Sequence, residues 1–130
     1  MYVKIDTKEI FTVITAEELK ITANMADKLF EMLHSYLNQP ISNLIFNLQN
    51  VGEMDREPAE NLVRLQQLFN EHNVSFVLCC MQPSLKLLFS EMGILEKLNH
   101  TPTESEAWDI VQMDEIEREL LGDESDAPEE

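Results

Sequence analysis

Apolar and polar residues alternate from the first residues of the chain. "YVKID" keeps the two-residue period of a strand, and "IFTVITA" runs apolar with threonines interspersed. With "TKE" between them as a turn, the pair predicts a hairpin of two short strands, and "EELKI" can add a third short strand. The period then changes. Met25, Leu29, Met32, Leu33 and Tyr36 recur at helical spacing, with Thr22 placed to cap the first turn through its hydroxyl and Pro40 to stop the helix.

From residue 40 the two periods alternate. "NLIFNL" is short, apolar and bounded by polar residues, the pattern of a strand buried on both faces. Arg56 to about Glu71 carries Leu62, Leu65, Leu68 and Phe69 on one stripe and predicts a helix, with Asp55 able to cap it. Pro58 costs little in its first turn, where amides lack intrahelical acceptors. "VSFVLCC" predicts another buried strand. "PSLKLLFSEMG" predicts a short helix ending at Gly93. "TPTESEAWDIVQMDEIERELL" opens with Thr103 and Glu106 in capping-box spacing and has Ala107, Ile110, Val111, Ile116 and Leu120 as its apolar side. This side leaves Trp108 undecided between packing and exposure. "GDESDAPEE" has almost no apolar content and predicts a disordered end. A parallel sheet with helix crossovers after an N-terminal strand pair places the fold in the α/β class.

Charge narrows the function. The net charge of −16 argues against nucleic acid, which needs clustered Lys and Arg. From Asp114 onward there are nine acids and one base, Arg118. Such an extension serves solubility, or docks a basic partner. No apolar run has the roughly 18 residues needed to cross a membrane, and the N-terminus lacks the form of a secretory signal. The expectation is a cytoplasmic protein. Cys79 and Cys80 are adjacent and read as core-filling thiols, without zinc-ligand spacing. No P-loop or glycine-rich dinucleotide motif occurs, and Glu53, Asp55 and Glu57 need not converge across a turn. No enzyme, metal or cofactor is expected.

Three strings in order resemble the STAS domains, the anti-sigma factor antagonists of bacteria: "ISNLIFNLQNVGEMD", "VSFVLCCMQPSLKLLFSEMGILEKL" and "TPTESEAWDIV". The resemblance implies a STAS-like mixed sheet with helices mainly on one face. It spans residues 1–112, leaving 113–130 as an acidic extension that starts helical. It also implies a partner, an anti-sigma factor or serine-kinase-type regulator, bound at the loop before the second helix through Asp55, Arg56, Glu57, Pro58 and Asn61. In typical members a "DSSG" loop there carries a serine that the partner phosphorylates. Here Arg56 stands at the first serine, Glu57 at the phosphorylated one and Pro58 at the glycine, and Asn47 replaces the usual Asp late in the strand.

The loss does not depend on alignment register, because no Ser, Thr or Tyr lies between Ser42 and Ser75. Glu57 then has three readings: an imitation of the phosphorylated state, part of a surface re-specialised for another partner, or a plain helix-start carboxylate. The alternative function is a regulatory or structural partner-binding subunit unrelated to sigma factors, with a homodimer compatible with either.

Overall fold

The computed structural model describes residues 1–126, with side chains described as far as Leu121. The expected hairpin is β1 (Val3–Thr7) and β2 (Phe11–Ala16), paired antiparallel. Then come β3 (Lys20–Ile21), α1 (Ala26–His34), β4 (Asn43–Asn47), β5 (Glu53–Met54) and α2 (Arg56–Glu71). The chain ends with β6 (Phe76–Cys79), α3 (Pro83–Glu91), β7 (His100–Thr101) and α4 (Glu104–Asp126). Five strands form a sheet in the order β1-β2-β4-β6-β7, parallel from β2 onward, while β3 and β5 form a separate parallel pair. This is the mixed sheet expected from the sequence. The two-residue β7 was hidden in a polar link.

Alternation along the central strands builds two cores. Ile14, Leu44, Phe46, Phe76 and Leu78 point to the side covered by α1, α2 and α3, where Leu29, Leu33, Leu62, Leu65, Phe69 and Phe89 meet them. Phe11, Val13, Ile45, Val77 and Cys79 point to the other side, where Ala107 and Val111 of α4 close a smaller core. Three helices therefore share one face and the fourth lies alone on the opposite face. Burial pushes the Cys79 thiol well above its ordinary range. Cys80 is half-buried and takes a left-handed φ of 63°, turning the chain out of the sheet directly after β6.

Helix ends follow the sequence in part. Gly93, with φ 74°, is the left-handed residue after α3, and Asn73, with φ 56°, plays the same part after α2. Thr103 accepts a hydrogen bond from the amide of Glu106 at 3.2 Å and donates its hydroxyl to the Glu106 carboxylate at 2.8 Å, so the expected cap of α4 is present. Thr22 is different. Its side chain makes no capping bond, and α1 begins after a 3-10 turn at Ala23–Met25. Leu29 and Leu33 are buried on α1, whereas Met25, Met32 and Tyr36 are half-buried at its rim.

Helix α4 runs unbroken across residue 112 and reaches Asp126. The stretch from Gly122 on, expected to be disordered, is thus mostly its last turn; residues 127–130 lie outside the described residues. Two ties set the direction of α4. Near its start, Asn47 Nδ2 donates to Glu104 Oε1 at 3.0 Å, at the C-terminal end of β4. Further on, Arg118 donates to Asn43 Oδ1 at 3.2 Å, to Ser75 Oγ at 3.3 Å and to Glu115 Oε1 at 3.0 Å, at the N-terminal ends of β4 and β6. Ser75 also donates to Asp114 at 2.9 Å. The helix crosses the sheet antiparallel to its strands, and its turns beyond Arg118 project past the edge. Ile116 and Leu120 were expected on the buried side but are 57% exposed. They lie beyond or away from the sheet that would cover them. Trp108 is half-buried, tilted against Phe11 with centroids 5.3 Å apart and donating to Glu104 at 3.0 Å.

The Arg118 cluster yields a pH prediction. The hydrogen bond from Arg118, then that from Asn43, holds the Glu115 carboxyl below its ordinary value of 4.5. A folded value below the unfolded one contributes stability above the ordinary carboxylate range, lost as pH falls through the folded value. Urea unfolding of Glu115→Gln should therefore show a deficit against the wild type at pH 7 that closes by about pH 3. An equal deficit at both values would contradict this origin.

Candidate functional site

The junction between β4 and α2 is assembled by backbone bonds before any side chain acts. Leu48 N donates to Cys79 O at 3.0 Å and Val51 N to Leu48 O at 3.0 Å, turning the chain at the end of β4. Gly52 N donates to Leu19 O at 2.9 Å and Asp55 N to Ile21 O at 2.9 Å, which lays β5 beside β3. Met54 is buried beneath. A Cβ at Gly52 would meet the side-chain end of Gln82 at 3.4 Å, an ordinary contact, so Gln82 lies directly over this turn.

The side chains of the loop divide into two groups. Asp55 holds the N-cap position of α2 but does not cap it with its carboxylate. Instead Oδ2 accepts the amide of Ala23 at 2.8 Å, and Oδ1 lies 3.7 Å from Lys20 Nζ. Asp55 therefore caps the turn that opens α1, taking the part expected of Thr22, and ties the starts of the two helices together. Pro58 and Asn61 are buried. Asn61 Nδ2 donates to Ala26 O at 3.2 Å, and its oxygen accepts from Arg64 at 3.1 Å. Both residues face inward, and Asn61 ties α2 to α1. Arg56 and Glu57 remain outside. Arg56 lies 3.6 Å from Glu60 in an exposed i,i+4 pair of little energetic weight. Glu57 is exposed in the first turn of α2 and has no side-chain hydrogen bond or ion pair among the described residues. Its charge is favoured there by the free amides of the helix start.

Two residues of α3's approach also belong to this region. Gln82 Nε2 donates to Gln49 O at 2.9 Å, and Ser84 Oγ donates to Gly52 O at 3.0 Å. Nothing in the sequence around the loop marks them, because they are brought to it by the crossover between β6 and α3. The loop thus has a hydroxyl against it in space, although its own segment contains none. Asn47, where the resemblance led to Asp, is explained by its neighbours. Its oxygen accepts the amide of Gln49 at 2.9 Å and its NH2 donates to Glu104, a bond that a carboxylate could not make.

Among the described residues no cluster of His, Cys, Asp and Glu could hold a metal ion, and no helix is long and apolar enough to cross a membrane. An open cleft of about 540 Å³ lies between the β1–β2 turn and α4, lined by Lys8, Phe11, Trp108 and Gln112 among others. It is built at the start of β2, away from the β4–α2 loop.

A family model for the STAS domain matches residues 2–107. The chain belongs to the STAS-domain family. Solved structures agree in fold. An anti-sigma factor antagonist from Mycobacterium paratuberculosis superposes with a TM-score of 0.74 at 14% identity, over 85% of this chain and 93% of that one. The phosphorylated form of SpoIIAA, a cell fate determinant of Bacillus, gives 0.64 at 16% identity, over 85% and 99%. A serine-to-glutamate variant of RsbS from Moorella thermoacetica gives 0.70 at 19% identity, over 86% and 96%. No curated protein matches the sequence. Within the STAS fold, the β4–α2 loop is the one the resemblance singled out.

Two substitutions test this STAS loop as built. Asp55→Ala removes the acceptor for Ala23 and should lower stability by about 1 kcal/mol, with Asp55→Asn losing less; equal loss in both would point to charge alone. Asn47→Asp sets two carboxylates against each other and should cost about 1–3 kcal/mol at pH 7, recovering as the pair takes up a proton below about pH 5. Chemical denaturation at the two pH values reads both effects.

Proposed function

We propose that this STAS domain is a non-catalytic interaction module, binding an anti-sigma factor or serine-kinase-type regulator through the exposed part of the loop before α2. We further propose that the loop is not released by phosphorylation. The observation that carries the reading is the division of labour in the loop: Asp55, Pro58 and Asn61 are occupied inside the fold, while Glu57 projects with no side-chain hydrogen bond or ion pair among the described residues and Arg56 is held only in an exposed pair with Glu60. Side chains so lightly engaged are open to a partner. Structural relatives described as anti-sigma factor antagonists support the kind of partner. The Moorella variant carries an acid introduced for a serine, an exchange of the same kind as that inferred at Glu57.

A phosphoserine brings about −1.5 to −2 charge and three acceptor oxygens. Glu57 brings one charge and two oxygens in the same helix-start field. The difference is permanence: no phosphatase can remove it. Arg56, one residue earlier, adds a cation that a doubled serine would not supply, which favours a contact surface specialised for its own partner.

The test uses a kinase-fold anti-sigma factor with ATP and site mapping by mass spectrometry. The wild type should take no phosphate, and Glu57→Ser with Pro58→Gly should take one at position 57. Glu57→Ser alone, keeping Pro58 packed, guards against a folding defect in the pair. Phosphate on Ser84 of the wild type with loss of partner binding would overturn the unswitched reading. Failure of a bound kinase to modify either variant would show that the loop no longer presents an acceptor.

A further inference from the structure

Four of the large apolar side chains that the fold leaves in solvent lie within nine residues of α4. Met113, Ile116, Leu120 and Leu121 are 62%, 57%, 57% and 61% exposed. At 100° per residue the first three fall within a stripe about 60° wide, on the side of α4 away from Ala107 and Val111. Leu121 lies at its flank. Over two turns this is an apolar seam about 10 Å long.

The charges around the seam select its occupant. Asp109, Glu117 and Glu119 are exposed on the outer side of α4. The one cation of the segment, Arg118, is turned inward to Asn43, Ser75 and Glu115. The rim that α4 itself gives the seam is therefore acidic with no base of that helix beside it, while Lys8, from the β1–β2 turn, packs over Trp108 more than a turn before Met113. A second copy packed α4 against α4 would bring the two acidic rims together, which like-charge repulsion opposes. An anionic lipid surface is opposed for the same reason. Residues 122–130 hold no apolar side chain larger than those of Ala127 and Pro128, too little to fill the seam.

We propose that the outer face of α4 is a second docking surface, for a basic amphipathic helix that seats apolar side chains on Met113, Ile116 and Leu120 and sets Lys or Arg against Glu117 and Glu119. The seam exposes only a few hundred Å², against roughly 800 Å² per partner in a standard stable interface. The complex is therefore weak without its charges, and its affinity falls with salt. Because α4 lies on the sheet face opposite α1–α3, this surface and the loop before α2 can be engaged together.

A fluorescently labelled 18-residue Leu/Lys amphipathic peptide, and a Leu/Glu peptide of the same pattern, serve as probes with the full chain. Anisotropy should show binding of the Leu/Lys peptide alone, weakened at least tenfold by Ile116→Glu with Leu120→Glu and weakened again by salt. The milder Ile116→Ala with Leu120→Ala should lower affinity severalfold, with an unchanged thermal melt in both variants. Binding unaffected by either pair would assign the attraction to diffuse charge and overturn the proposal. So would a wild-type dimer in sedimentation equilibrium that the same substitutions dissolve, since the occupant would then be a second copy.

Discussion

Strands β4 and β6 are apolar on both faces, and this one constraint arranges the rest of the molecule. Leu44 and Phe46 face one way while Ile45 faces the other, as do Phe76 and Leu78 against Val77 and Cys79. A sheet with two apolar faces must be covered twice. The helices α1, α2 and α3 cover the first face as crossovers of the parallel strands. Only α4 remains for the second, which fixes its direction and leaves its turns beyond Arg118 to project from the sheet. Asn47 and Asn43, at the two ends of β4, supply the polar ties that hold α4 there.

The same constraint makes the β4–α2 loop a rigid presenter. Its backbone is bonded to the β3 strand and to the end of β6, its Asp55 carboxylate is spent on the start of α1, and Asn61 binds α1 from within the helix. Little freedom is left to residues 55–61 as a segment. Arg56 and Glu57 are its two outward positions. On the proposed reading, a fixed acid at position 57 in place of a switchable hydroxyl alters the surface and leaves the frame intact.

Much of this was legible in the sequence because periodicity reports burial. The two-faced pattern of "NLIFNL" and the stripe of α2 placed the central strand and helix correctly. Local chemistry read well where it acted locally, as at Thr103 and Gly93. It failed where partners came from afar. Thr22 looked like a cap, but the acceptor for α1 is Asp55, 32 residues away. Ile116 and Leu120 stand about 140° and 180° round α4 from Val111, so grouping them with Ala107 and Val111 as one apolar side placed them inward when they face solvent. Pro58 and Asn61 lay beside Arg56 and Glu57 in sequence, yet the turn of the helix set them on opposite sides. Ser84 and Gln82 gave no signal, since only the β6–α3 crossover brings them to the loop.

The central claim is that Arg56 and Glu57, on the frame held by Asp55, form the surface that meets a regulator. Amide hydrogen exchange of the chain, free and in complex with a kinase-fold anti-sigma factor from the same cell, measures this directly. The account predicts added protection confined to residues 52–60 and the adjoining start of α3. Protection elsewhere with an unchanged loop would contradict it.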